Sequence, residues 1–374
     1  MPSTADTLAA LPFLARVPRH EIDRAAAAFS PHVLVAGELF WEEGAPVSSL
    51  ALLVTGELAV LAGTSEVARL RAPELVGEAS AFFPGQRRAA TLRATRPSAL
   101  LILDTRGLQS LWTARSRVYD ALLDVALVSL ARRVEATNRR LSEVAAGAFA
   151  APQRKEPGAI ARLWRTLRPG PAGACPPLEP LLRQQAGLVD LSPEAAATLA
   201  ASFVAEPIEE GQAIVLEGEP GWCGYIVAEG TIEVLRNVRG DRAELLAKLG
   251  AGRQFGMNTL VAPGARTASC VAATAGWLYR LDREPYEALA GDARRAWRES
   301  ILAVLASQIR TANAALERAL RKSGRGVSEG DGFQSLLQAS GYLASAPPEE
   351  TLERVQFVVD EDMKRNPRHP GRRG

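Results

Sequence analysis

The chain has 374 residues, 47% of them apolar and 23% charged, with 44 Lys and Arg against 42 Asp and Glu for a net charge of +2. A chain of this length divides into about two domains, its composition is that of a soluble globular protein, and near-neutral charge argues against a dedicated polyanion binder while leaving room for a local basic patch. Three distant cysteines, Cys175, Cys223 and Cys270, form neither a disulfide framework nor a CxxC metal pair, which fits a reducing, cytoplasmic setting. With three histidines in all, a multi-histidine metal site is nearly excluded. The opening residues lack a basic stretch followed by an apolar one, so they do not read as a signal peptide, and no run of about 18 apolar residues exists to span a membrane.

Along the chain, the first helical segment is expected over Arg19–Phe29. Residues 37–61, GELFWEEGAPVSSLALLVTGELAVL, follow, with short apolar stretches Leu50–Val54 and Glu57–Leu61 on either side of Thr55-Gly56. Strands of this length between glycine turn signals indicate an antiparallel sandwich or roll. Then comes VGEASAFFPGQRRAATL, residues 76–92. Here Gly77 permits close approach of backbone to a ligand, Glu78 is an acceptor suited to a ribose hydroxyl, and Arg88 offers a planar fork for a phosphate. A long helix closes the segment. Its apolar stripe, Leu123, Leu127, Leu130, Val134, Leu141 and Val144, is interrupted by Thr137. A stripe in steps of four and three suits pairing with another helix, or packing of a single helix on its own roll. A hydroxyl on such a stripe needs a partner, either a bound base or its own helix carbonyl.

Residues 146–186 are rich in proline and glycine and read as a linker. Inside it, AIARLWRTLR (159–168) has the pattern of a short basic amphipathic helix, suited to docking on a neighbouring roll or lying on an anionic membrane. Then the first pattern returns. Residues 211–235 read GQAIVLEGEPGWCGYIVAEGTIEVL, and Gly211, Glu217, Gly218 and Gly230 repeat Gly37, Glu43, Gly44 and Gly56 at an offset of 174. Arg266 repeats Arg88, and Leu281-Asp282 repeats Leu103-Asp104, at 178. A helical segment, Pro193–Phe203, precedes the second copy's strands, and a second long stripe, Leu302, Leu305, Ile309, Ala312, Leu316 and Ala319, follows them. Self-similarity at one fixed period is the mark of a duplicated unit. The copies run from about 10 to 145 and from 187 to 320, leaving 321–374 as a flexible tail with two possible short helices, 333–343 and 349–363.

The glycines at 37, 44 and 56 together with the GE…RRAAT stretch resemble the cyclic nucleotide-binding domain family, in the spacing of its catabolite activator branch. The resemblance implies two tandem antiparallel β-rolls of jelly-roll type with flanking helices, a mixed α+β but mainly β fold. It implies a ligand, cAMP or cGMP, held in copy one by the cassette Gly77, Glu78, Ala79, Arg88 and Ala89, with Glu78 on the ribose 2′-hydroxyl and Arg88 on the cyclic phosphate. Ala89 stands where the family often offers the phosphate a hydroxyl. In LARRVEATNRRL (130–141), Thr137 and Asn138 occupy the places from which the family's end helix reaches the base and the partner subunit's ligand. Copy two departs from the pattern. Its cassette reads FGMNTLVAPGARTASCV, with Gly256, Met257, Arg266 and Thr267 at the matching places, and a thioether cannot replace the carboxylate as acceptor. Ala312 replaces Thr137 as well, so copy two is expected to have lost the ligand.

These expectations describe a cyclic-nucleotide-responsive regulatory or sensor protein, signalling through the end helix to a protein partner the sequence does not identify. Two other readings stand: a ligand-free structural module, and an atypical Crp/Fnr-like transcription regulator. The catabolite activator's winged helix-turn-helix has no counterpart in the last 54 residues, which disfavours sequence-specific DNA binding. No catalytic triad pattern, metal-ligand spacing or Walker loop is present, so an enzyme is the least favoured class. The end helices are expected to pair within one chain as a pseudo-dimer, or between chains as a homodimer.

Overall fold

The computed structural model describes residues 3–82, 87–146, 173–238 and 242–323. The basic segment 159–168 and the two tail segments 333–343 and 349–363 lie outside them.

In the first repeat, α1 (Thr4–Ala9) and α2 (Arg19–Ala25) precede β1 (Phe29–Leu34), β2 (Leu39–Trp41), β3 (Ser49–Ala62), β4 (Ser65–Arg71) and β5 (Glu74–Val76). The four-residue α3 (Glu78–Ala81) follows, then β6 (Thr91–Asp104), α4 (Thr105–Thr113) and the long α5 (Arg117–Ala146). Ser3 caps α1 in a reciprocal capping box with Asp6, and Asp104 caps α4 through the Gly107 amide at 2.6 Å. The strands form one antiparallel sheet in the order β1-β6-β3-β4, with β2 on β6 and β5 on β3. Its inner face buries Leu34, Ala51, Leu53, Leu58, Leu70, Val76, Leu92, Ala94 and Leu100.

The second repeat starts with α6 (Leu178–Leu182), set inside the stretch read as linker, and α7 (Pro193–Ala200). In α6, Leu178, Leu181 and Leu182 are buried, and just beyond it Gln185 donates to the Gly252 carbonyl at 2.6 Å. The strands are β7 (Val204–Ile208), β8 (Ala213–Val215), β9 (Pro220–Gly221), β10 (Cys223–Glu229), β11 (Ile232–Val238), β12 (Arg242–Leu249) and β13 (Gln254–Phe255). After α8 (Met257–Val261) come β14 (Gly264–Ala265), β15 (Ser269–Ala272) and β16 (Gly276–Asp282), then α9 (Arg283–Ala288) and α10 (Gly291–Ser323). Two four-stranded antiparallel sheets, β13-β10-β16-β7 and β12-β11-β15-β8, face a core of Ile208, Tyr225, Val227, Ile232, Phe255, Ala272 and Leu278. The jelly-roll expectation holds for both repeats.

The duplication is visible in individual hydrogen bonds. Gly44 N–H donates to the Arg88 carbonyl and Arg88 N–H to Ala45; Gly218 N–H donates to Arg266 and Arg266 N–H to Glu219, all between 2.8 and 2.9 Å. Gly37 and Ala94 are joined in the same way as Gly211 and Ala272. One expectation changes. Thr55-Gly56 is not a break between two strands, because β3 runs through it for 14 residues, paired along its length with β6. Gly56 (φ +97°) is a bulge at which the register shifts, and a Cβ there would collide with Ser98. In the second repeat the matching pair is Gly230 and Gly276, and there the long strands do break, β10 from β11 and β15 from β16.

The chain divides into two compact units, one holding the described residues up to Ser129 and those from Asn313, the other Leu130–Ala312. Among the described residues no helix is long and apolar enough to cross a membrane.

Candidate functional site

In the first repeat, β5 delivers Gly77 at φ +88°, and the backbone turns there into α3. A Cβ at Gly77 would lie 2.7 Å from Trp41 Cζ3 and 2.8 Å from Arg88 Nη1, so only glycine lets the chain pass this close to both side chains. Glu78 follows, with no exposed surface, and Arg88 is 4% exposed. The structure thus brings Gly77, Glu78 and Arg88 together. Ala79 and Ala89 are half-buried neighbours in chain.

Arg88 is held from two directions. Its guanidinium lies flat on the indole of Trp41, with Cζ 3.4 Å from the ring centroid, and Trp41 in turn stacks on Phe40 at 4.2 Å. One end, Nη2, donates to the Ser49 carbonyl at 2.8 Å, with the Ser49 hydroxyl at 3.4 Å. Nε and Nη1 are buried and make no hydrogen bond among the described residues. Burial pushes the Arg88 pKa down to about 10, while the Glu78 charge acts to raise it. A buried guanidinium with unused donors is an expensive arrangement in a ligand-free protein, because each unsatisfied buried group costs about 1–3 kcal/mol. An anion placed against those donors would remove the cost.

Contacts among the described residues connect this cassette with α5. Phe82, just past α3, meets Tyr119 edge-to-face at 5.8 Å, and Ser129 donates to Glu74 of β5 at 3.1 Å. Thr137 and Asn138 are half-buried further along α5, in the part of the helix that belongs to the other compact unit.

The second repeat uses its arginine differently. Arg266, 6% exposed, donates from Nη1 to the Gly256 carbonyl at 3.1 Å and to Thr259 Oγ1 at 2.5 Å, and from Nη2 to Cys223 Sγ at 3.2 Å. Gly221 lies so close to the guanidinium that a Cβ there would strike it. Met257 is 1% exposed, and its sulfur sits 2.5 Å from where a Cβ on Gly224 would be, so the thioether fills space beneath β10. Thr267 is half-buried after Arg266. Gly256 keeps the left-handed conformation of Gly77, at φ +73°. The turn has survived, but the arginine's donors are taken by the protein itself.

Trp41 and Ser49 were not singled out by sequence reasoning. Their role comes from strand placement, since Trp41 reaches the site through the pairing of β2 with β6. One signal existed: Trp41 and Ser49 become Val215 and Cys223 in the second copy, the partner changes that accompany the different handling of the arginine.

Residues 31–115 and 205–292 each match the cyclic nucleotide-binding domain family. The chain therefore carries two tandem members of that family, an assignment the duplicated roll and cassette had already indicated. Among curated proteins it is similar to the CRP-like cAMP-activated global transcriptional regulator of Mycobacterium tuberculosis, 30% identical over 123 residues, which are 33% of this chain and 54% of that protein. It is also similar to the cyclic AMP receptor protein of Thermus thermophilus, 35% identical over 99 residues, 26% of this chain and 46% of that one. The chain thus spans about half the length of the curated relatives it matches. Among solved structures, the regulatory domain of Toxoplasma gondii PKA with cAMP aligns over 78% of this chain and 93% of its own, at 17% identity and a TM-score of 0.29. Among the described residues no group of three or more His, Cys, Asp or Glu is placed to hold a metal ion.

Proposed function

We propose that this protein is a regulatory sensor whose first repeat, residues 10–145, binds a 3′,5′-cyclic mononucleotide, cAMP or cGMP. Arg88 takes the cyclic phosphate and Glu78 accepts from the ribose 2′-hydroxyl. The observation that carries this reading is the Arg88 guanidinium, buried to 4% exposure with Nε and Nη1 lacking hydrogen-bond partners among the described residues. The family of both repeats and the cAMP named for the curated relatives support the choice of ligand. The second repeat, 187–320, serves as a ligand-free structural counterpart, in keeping with the internal bonds of Arg266. Occupancy is passed to α5 through Phe82–Tyr119 and Glu74–Ser129, and from there to a protein partner. Ligand binding shifts the helix only by as much as its affinity differs between two arrangements.

Calorimetric titration of the full chain with cAMP and with cGMP tests the reading. One site per chain is expected for at least one of them. A wild-type protein that takes up neither would overturn it.

A further inference from the structure

Resting on that reading of the first repeat, we infer that Trp41 is the positioning residue of the anion site. It holds Arg88 by its face so that the edge donors remain available to a ligand.

A guanidinium can be fixed through its N–H groups or through its π face. The second repeat uses the first route: Thr259, the Gly256 carbonyl and Cys223 engage Nη1 and Nη2 of Arg266, and Val215 stands at the position matching Trp41. The first repeat uses the second route. Trp41 covers one face of Arg88 with Cζ 3.4 Å from the ring centroid, one end donates to Ser49, and Nε and Nη1 stay unused. Stacking restrains the plane of the fork without consuming a donor. It thereby makes in advance the ordering that a phosphate would otherwise impose on a long side chain.

The surroundings keep Trp41 in place. Phe40 stacks on it at 4.2 Å, and Gly77 at φ +88° leaves the volume its Cζ3 occupies. Trp41 covers the face of Arg88, so it acts through Arg88. Its role is distinguishable from that of a packing residue by its dependence on Arg88.

The test is titration with cAMP of the wild type, Trp41→Phe, Trp41→Leu, Arg88→Ala and the Arg88→Ala/Trp41→Leu double variant, with circular dichroism and melting temperature recorded for each. Trp41→Leu should weaken binding about tenfold, while Trp41→Phe keeps most of the affinity. In the Arg88→Ala background Trp41→Leu should cause no further loss. Binding by Trp41→Leu at wild-type strength overturns the inference, as does an equal loss in both backgrounds, the behaviour of a residue that only packs. Should Trp41→Leu fail to fold, Trp41→Phe and Trp41→Tyr carry the test through cAMP-induced tryptophan fluorescence. A change present in the wild type and absent from both variants, with binding kept, places the indole at the occupied site; an unaltered change overturns the inference. A wild type that takes up neither cAMP nor cGMP, with Arg88→Ala indistinguishable from it, overturns the binding reading itself and the role of Trp41 with it; a wild type that takes up cGMP alone is carried through the same variants with cGMP.

Discussion

Arg266 and Thr259 are joined guanidinium to hydroxyl at 2.5 Å in the second cassette, whereas among the described residues Arg88 in the first cassette has no hydrogen bond from the corresponding Nη1. Two arginines at equivalent places in one duplicated fold therefore carry opposite expectations. Arg266→Ala removes three hydrogen bonds and leaves Thr259 and the Gly256 carbonyl with one partner fewer in a buried setting. It should destabilise the protein by about 2–4 kcal/mol. Arg88→Ala deletes a charge already burdened by desolvation and should cost about 1 kcal/mol in the ligand-free protein while weakening cAMP tenfold to several hundredfold. Urea unfolding with and without cAMP measures both. An Arg88→Ala protein that binds as tightly as the wild type would falsify the site assignment.

The second repeat should not be converted into a site by restoring its carboxylate alone. Met257→Glu places a carboxylate where the side chain has 1% exposure and sits against β10, beside an arginine whose donors are occupied. We expect a loss of about 3 kcal/mol and an unchanged stoichiometry of one ligand per chain. Two equivalent sites in the titrated variant would contradict this; two in the wild type would contradict the inert role of the repeat.

What the sequence revealed, and what it did not, follows from the same comparison. Gly77, Glu78 and Arg88 were legible because they are close in chain and recur, in part, 178 or 179 positions later. The helix Leu178–Leu182 was hidden in a proline-rich stretch, although Leu182 and Leu188 repeat Leu8 and Leu14 at 174. Trp41 and Ser49 lie 47 and 39 positions before Arg88, and only the sheet register brings them to it. No spacing rule reports a cation over an aromatic face. Gly56 was read as a turn because a glycine between apolar runs has the same sequence signature in a turn and in a bulge.

Gly56→Ala tests the bulge. The substitution puts a Cβ into Ser98 and forces alanine to φ +97°, two penalties in the center of the longest strand pair. The expected loss is about 3 kcal/mol or more. A melting temperature within a degree or two of the wild type would mean that β3 accommodates the side chain by relocating its bulge.

The link from cassette to helix predicts a separation of binding from response. Tyr119→Ala removes the ring that Phe82 meets at 5.8 Å and leaves Arg88 and Glu78 untouched. Affinity for cAMP should change less than threefold, whereas the cAMP-dependent change in amide hydrogen exchange along Arg117–Ser129 should shrink by half or more. Equal ligand-induced protection in variant and wild type would show that occupancy reaches α5 by another route.

The seams of the two long helices decide between the two modes of assembly. Leu123, Leu127, Leu130 and Val134 of α5, and Leu302, Leu305, Ile309 and Leu316 of α10, are each at most 5% exposed within a single chain. Each stripe needs a covering apolar face, which the other long helix of the same chain or that of a second copy can supply, and stable dimers bury a large one. Linked segments also meet at a far higher effective concentration than separate chains. The expected species at micromolar concentration is therefore a monomer near 39.9 kDa by light scattering. A persistent species of about twice that mass would favour the homodimer. Leu130, with no exposed surface, is the position to probe, because Leu130→Glu sets a carboxylate among packed apolar side chains. A loss of about 3–5 kcal/mol with no change in mass is expected of the closed monomer. Dissociation of a dimer into stable 39.9 kDa monomers on the same substitution would show that the seam joins two chains instead.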